Sequence, residues 1–166
     1  MNITDFKMLS NRKIKNKKCV FIKGKCHRFI TSSVKETIEL GKTIAHSLKP
    51  GDIIFLYGEL GSGKTVLTKG VCQGLGVTEQ VTSSSFVIAT EYKGRMLVSH
   101  IDLYRLSGKD VDGLPIEEYL PARGITIIEW AERLNPSRTQ KSKGLRISLI
   151  IKGASKREIL IEDLRS

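Results

Sequence analysis

No apolar run in this chain approaches the roughly 20 residues that a membrane-spanning helix requires, which argues against an integral helical membrane protein. The first 18 residues contain no apolar stretch of the kind a secretory signal needs, so a secreted product is not expected. Cysteine is scarce: Cys19, Cys26 and Cys72 show no metal-binding spacing, and their odd number argues against a disulfide framework. A reducing cytoplasm is the natural setting. Internal repeats and low-complexity tracts are missing too, apart from one basic segment. With 166 residues, 40% of them hydrophobic, the chain is long enough to bury a core without metal or disulfide staples.

Acidic side chains are scarce in one place. Residues 1–28 hold nine Lys or Arg against the single acid Asp5, so this segment carries +8 of the net +11 and leaves +3 for the other 138 residues. The excess charge sits on an extension, which is expected to be poorly ordered, and residues 29–166 form the domain proper. A basic arm of this kind can neutralise phosphates of RNA or another anionic surface. It can also be a solvated tail and nothing more. A mitochondrial presequence is poorly supported, because the cations are mostly Lys and no amphipathic stripe is visible.

What is present is a phosphate-binding pattern. Gly58-Glu59-Leu60-Gly61-Ser62-Gly63-Lys64-Thr65 reads G-x-x-x-x-G-K-T and directly follows the apolar run Ile53–Tyr57. Glycines let the backbone wrap closely, so that several N–H groups point at one phosphate. The helix that follows turns its positive dipole end toward the same anion. Gly58, Gly61, Ser62, Gly63, Lys64, Thr65 and Val66 are therefore the candidate nucleotide-binding residues, with Lys64 reaching the β- and γ-phosphates and Thr65 ligating Mg²⁺.

The surrounding pattern places this loop in a mixed α/β fold. Ser33-Val34-Lys35-Glu36 has capping-box spacing, and Val34, Ile38, Gly41, Ala45 and Leu48 recur at helical intervals before Pro50-Gly51. A second helix is expected from Gly63 to Gln73. Strands are expected at 53–57, 86–92, 96–101, 124–128, 145–152 and 157–162, with a short helix near 115–120. Lys93-Gly94-Arg95 and Gly153-Ala154-Ser155 read as hairpin turns. Such hairpins are incompatible with strict βα alternation. The expected class is an α/β, P-loop NTPase-like mixed sheet with a parallel centre, flanked by antiparallel strands and helices.

A P-loop alone does not place a metal ion or activate water; an acid at the end of a buried strand does. Glu129 follows Ile125-Thr126-Ile127-Ile128, and Asp102 follows Leu97-Val98-Ser99-His100-Ile101. Each is a candidate metal-site acid, and each has the alternative of capping a helix or pairing with Arg105 or Arg133. Ser83-Ser84-Ser85 sits between the P-loop helix and the next strand, where switch-type nucleotidases place a hydroxyl near Mg²⁺; the ordinary alternative is a plain loop. His100 reads as a hydrogen-bonded core histidine. Trp130 either packs or reports on bound nucleotide. The segment Thr31–Ser33 is a guess for contact with the base.

Taken together, GELGSGKT, SSSF with EY close behind, HIDLYRL and IEW resemble the TsaE (YjeE) family, the P-loop ATPase subunit of bacterial tRNA threonylcarbamoyladenosine synthesis. The resemblance covers roughly residues 30–165, and HIDLYR and IEW at these distances are far more specific than the P-loop. It implies ATP and Mg²⁺ as ligands, weak intrinsic ATPase activity, and work beside the TsaD and TsaB proteins on tRNA; the P-loop by itself leaves open a small-molecule kinase or a nucleotide-sensing module that hydrolyses nothing. The resemblance implies Lys64 and Thr65 on phosphate and Mg²⁺, Glu129 and Asp102 as acids near the metal, Ser85 as the switch hydroxyl, and Trp130 as the aromatic of the last motif. Two departures stand out. The family's usual S-P-T-F or S-P-T-Y is Ser83-Ser84-Ser85-Phe86 here, which removes a fixed φ at Ser84 and loosens the expected switch. The basic extension is the second.

Overall fold

The computed structural model describes residues 26–82, 89–119, 123–141 and 144–165. The expected strand Ile53–Tyr57 (β2) lies at the heart of a seven-stranded sheet. It pairs in parallel with Gly124–Glu129 (β5) on one side and Gly144–Ile151 (β6) on the other. A strand covered on both faces needs a continuous apolar run rather than alternation, and every residue of β5 is buried. Leu97–Asp102 (β4) extends the parallel centre beyond β5. Ala89–Lys93 (β3) closes that edge antiparallel to β4, across the Lys93–Arg95 turn. Beyond β6 come Arg157–Asp163 (β7) and then Cys26–Thr31 (β1), both antiparallel to their neighbours. The order β1-β7-β6-β2-β5-β4-β3 is the mixed sheet the hairpins demanded.

β1 was not expected. It starts at Cys26, inside the segment that the charge count assigned to the extension, so Cys26, His27 and Arg28 belong to the sheet. Their local sequence alternates only weakly, and pairing with β7 makes the strand; Arg28 there forms an ion pair with Glu158.

One face of the sheet is covered by two helices, Val34–Ala45 (α1) and Lys64–Gly74 (α2). Ser33 caps α1 and accepts from the Glu36 N–H, while the Glu36 carboxylate takes the N–H of Ser32, so the capping box is offset by one residue. The buried stripe of α1 is Thr37, Leu40, Gly41, Ile44 and Ala45. Val34, expected on that stripe, is 63% exposed; it shares the helical face of Gly41 and Ala45 but is the first residue of α1, one to two turns before the contacts that Ile38 and Gly41 make with α2. The two helices touch backbone to backbone. A Cβ at Gly70 would lie 2.3 Å from Ile38 O, and one at Gly41 would lie 2.6 Å from Leu67 O. Gly41 faces Leu67–Val71 and Gly74 faces Lys42 and Ala45, so the helices run side by side in the same direction.

Under these helices lies the larger core, with Ile54, Leu56, Ile125, Ile127, Leu145, Ile147, Ile159 and Ile161 pointing up from the strands. The opposite face carries Phe55, Ile101 and Ile128, as strand alternation requires. It is covered by Gly108–Asp112 (α3), the 3-10 turns Ile116–Tyr119 and Ala131–Arg133, and residues around them. The turn at Ile116–Tyr119 fits the short helix expected near 115–120; α3 and Pro136–Lys141 (α4) are too short to leave a periodic signal.

Candidate functional site

The P-loop runs from the C-terminal end of β2 into α2, and its glycines adopt backbone conformations that other residues avoid. φ is +141° at Gly58, +76° at Gly61 and +99° at Gly63. Gly58 is constrained twice, since a Cβ there would stand 2.5 Å from Leu149 O on β6. Gly63 is the N-cap of α2 and supplies no side-chain cap, so the first N–H groups of the helix are left for a ligand. Ser62 is fully buried with its N–H donated to Glu59 O. Val66, half-buried in the first turn of α2, brings an apolar side chain, so only its backbone N–H suits an anion.

Lys64 opens α2 and is 5% exposed. Its Nζ donates to Gly58 O and Glu59 O, and it lies 3.6 Å from the centroid of the Trp130 ring. Burial draws the Lys64 pKa down, against the opposing pull of Glu132, Glu129, Asp102 and Glu59. The ammonium is thus held at the mouth of the loop by carbonyls and an aromatic face.

Glu129 ends β5 with 1% of its surface exposed. Its Oε2 accepts the Thr65 hydroxyl at 2.9 Å, and its Oε1 accepts the Thr68 hydroxyl and His100 Nε2, each at 2.9 Å. Burial pushes this carboxyl's pKa up; the hydrogen bonds from His100, Thr65 and Thr68, with the charge of His100, hold it below the usual carboxylate range. Asp102 is the register partner of Glu129 across the β4–β5 pair. Alternation along β4 puts it on the same face as His100 and Val98, toward α2. Asp102 is half-buried and its Oδ1 accepts the Tyr104 N–H at 3.0 Å. Arg133, one of the suggested partners for these acids, donates instead to Leu106 O and lies over the rings of Tyr104 and Trp130, 5.8 and 5.5 Å away.

Trp130 follows Glu129 with φ 60° and ψ 44°, the one non-glycine residue of positive φ among those described. That turn swings the indole from the C-terminal end of β5 over Lys64 and against Tyr104, with the Tyr104 and Trp130 ring centroids 4.9 Å apart. Backbone strain of this kind persists only where surrounding contacts hold it.

The structure therefore brings together Gly58, Gly61, Ser62, Gly63, Lys64, Thr65, Glu129, Asp102 and Trp130. Ser85, with Ser83 and Ser84, lies outside the described residues. Two side chains escaped the sequence reading as site residues. Thr68 stands one helical turn beyond Lys64 and Thr65, a spacing that points it at the same strand end. His100 was read as a hydrogen-bonded core residue, and it is 3% exposed; that its partner is Glu129 was signalled only by its i, i+2 relation to Asp102. At the suggested base contact, the Thr31 hydroxyl bonds to Thr37 and Ser33 Oγ caps α1. Of the side chains in that segment, exposed Ser32 is the one left for a base contact, beside backbone groups and Val34.

The oxygen donors suit a hard cation. The described residues contain no cluster of three or more His, Cys, Asp or Glu able to enclose a metal. Mg²⁺ asks for less: one or two carboxylates, with water and phosphate completing its shell. Thr65, Glu129 and Asp102 meet that requirement beside a loop whose glycines leave room for phosphate.

Comparison with known proteins gives a consistent picture. The family model described as "Threonylcarbamoyl adenosine biosynthesis protein TsaE" matches residues 31–159. The chain is 38% identical over 132 residues to the tRNA threonylcarbamoyladenosine biosynthesis protein TsaE of Bacillus subtilis, covering 78% of this chain and 80% of that one. It is 32% identical over 135 residues to the protein of the same name from Treponema pallidum, covering 81% and 98%. The crystal structure of Bacillus subtilis YdiB superposes with a TM-score of 0.68 at 34% identity, over 84% of this chain and 86% of that one.

Proposed function

The chain belongs to the TsaE family, and from that premise we propose that it is a Mg²⁺-dependent ATPase, weak alone, that serves as an accessory subunit in forming threonylcarbamoyladenosine beside the anticodon of tRNAs reading ANN codons. Its partners in this reading are the TsaB and TsaD proteins, and tRNA is met through their complex in the cytoplasm. No helix among the described residues is long and apolar enough to cross a membrane. The observation that carries the reading is the Glu129–Thr65 pair beside the P-loop: a buried, ionised carboxylate on the helix residue whose hydroxyl P-loop enzymes use for Mg²⁺.

The chain's own residues divide the work. Backbone N–H groups at the start of α2 receive the phosphates, and Lys64 leaves the carbonyls of Gly58 and Glu59 to meet them. Thr65, Glu129 and Asp102 would hold Mg²⁺, whose chemistry is to neutralise charge on the phosphate oxygens. His100 and Thr68 fix the Glu129 carboxylate in one orientation, so that it need not reorganise when the charge on phosphate grows. Trp130 shields Lys64 from solvent on the outer side. Ser85 is proposed as the switch hydroxyl. The basic extension adds grip on tRNA; a deletion to test this should stop at residue 25, since β1 starts at Cys26.

Two variants test the site. Lys64→Ala should abolish nucleotide affinity. Glu129→Ala should keep measurable nucleotide binding and lose turnover by a factor of about 100 or more. A Glu129→Ala chain with wild-type turnover refutes the role given to Glu129, and a wild-type chain that binds nucleotide without turning it over favours a module that only senses nucleotide.

A further inference from the structure

Arg157, the first residue of β7, stands opposite Thr31 on β1 and Ile151 on β6. Its side chain leaves the sheet and reaches the P-loop. Nε donates to Ser62 O at 3.1 Å and Nη2 to Gly61 O at 3.0 Å. Nη1 donates to the β6–β7 turn, at 2.9 Å to Gly153 O, 3.0 Å to Lys156 O and 3.4 Å to Ala154 O. One planar fork thus joins two segments about 95 residues apart in sequence.

We propose that Arg157 is a positioning residue for phosphate binding, which holds the tip of the P-loop in the conformation that accepts an anion. The inference rests on the nucleotide-binding reading given above. A trans peptide unit points its C=O and N–H in opposite directions. With Ser62 O drawn outward to the guanidinium, the N–H of Gly63 faces the other way, into the loop beside the first N–H groups of α2. A flip of that peptide would turn a carbonyl toward the phosphate and remove a donor. The bond from the Ser62 N–H to Glu59 O holds the preceding peptide unit, not this one. Gly61 and Gly63 flank it with the freedom of glycine, nothing lies within 4 Å of a Cβ at Gly61, and the neighbouring Leu60 is 68% exposed. Ser62 Oγ, though buried, has no hydrogen-bond partner to anchor the tip. A lysine in place of Arg157 would bring charge without the fork that spans adjacent carbonyls.

The test uses the full chain, with MgADP and inorganic pyrophosphate as separate calorimetric probes and ATP turnover alongside. Arg157→Ala is expected to weaken both probes about tenfold and to raise KM for ATP by a like factor, with kcat within about twofold of wild type. Arg157→Lys should fall between, and it carries the test if the alanine variant does not fold. Wild-type affinity for both probes in Arg157→Ala, or in Arg157→Lys should the alanine variant not fold, overturns the proposal. A fall in kcat and melting temperature at unchanged affinity also overturns it, since that is the signature of a merely structural contact. A wild-type chain that binds neither probe refutes the nucleotide reading itself, which is a distinguishable result.

Discussion

Replacing Gly70 by alanine sets two effects of known size against each other. In an isolated helix the change is favourable by about 0.8–1.0 kcal/mol, because glycine forfeits more backbone entropy. In this chain Gly70 is buried at the crossing of α1 and α2, where a Cβ would stand 2.3 Å from Ile38 O, 2.9 Å from Ile38 Cα and 3.0 Å from Gly41 Cα. Ordinary contact begins near 3.4 Å, so α1 must retreat by about 1 Å, and a gap of that size forfeits a quarter to a half of each dispersion contact along the interface. Overpacking of a tight site costs about 1–3 kcal/mol and more when backbone is the obstacle. With backbone as the obstacle the cost is at the upper end of that range, about 3 kcal/mol, so the clash exceeds the propensity gain and the expected net loss is about 2 kcal/mol. For a chain of this size that lowers Tm by roughly 3–10 °C, measurable by circular dichroism. Gly41→Ala disturbs the same crossing from the other helix, so the double variant should lose less than the sum of the singles. A Gly70→Ala protein that melts higher than wild type would refute the close-contact argument and leave helix propensity in control.

Two further outcomes follow from local geometry. Arg165 donates to Asp163, Asp52 and Ser47 O at the junction of β7 with the α1–β2 connection; Arg165→Ala should cost about 2–4 kcal/mol in denaturant unfolding, because Asp163, 4% exposed, would lose the guanidinium and keep the backbone N–H of residue 165. Burial pushes the Asp163 pKa up, but the hydrogen bonds and charge of Arg165 outweigh it and hold the carboxyl below its ordinary value. Its stabilisation is therefore full above about pH 4, where the unfolded carboxyl is ionised, and is lost as pH falls through the lower folded value. The gap between wild type and Arg165→Ala should narrow over that acidic range, and a gap independent of pH would contradict the pairing. Gly58→Ala should abolish MgADP binding in calorimetry, since both its φ of +141° and the carbonyl of Leu149 oppose a side chain; retained affinity would show that the loop tolerates another path.

Much of the architecture was legible because it is written in local patterns. Ile53–Tyr57 and Gly124–Glu129 carry continuous apolar runs, the two turn segments mark hairpins, and the P-loop announces the strand before it and the helix after it. What could not be read depends on partners distant in sequence. β1 is a strand because β7 offers it an edge, and Val34 is exposed because α2 meets α1 only from Ile38 onward. In the site, Glu129 and Asp102 were found from their place at strand ends. The bonds from Thr68 and His100 to Glu129, like the reach of Arg157 to Gly61, join segments dozens of residues apart; local spacing hints at the faces of Thr68 and His100 but not at their shared partner, and nothing local marks Arg157.

The most direct test of the account is steady-state ATP turnover by this chain, alone and with the TsaB–TsaD pair added. The expected result is a slow basal rate, on the order of one turnover per minute or less, that rises at least tenfold with the pair. A rate indifferent to the pair would contradict the assignment to threonylcarbamoyladenosine formation, even with the nucleotide site intact.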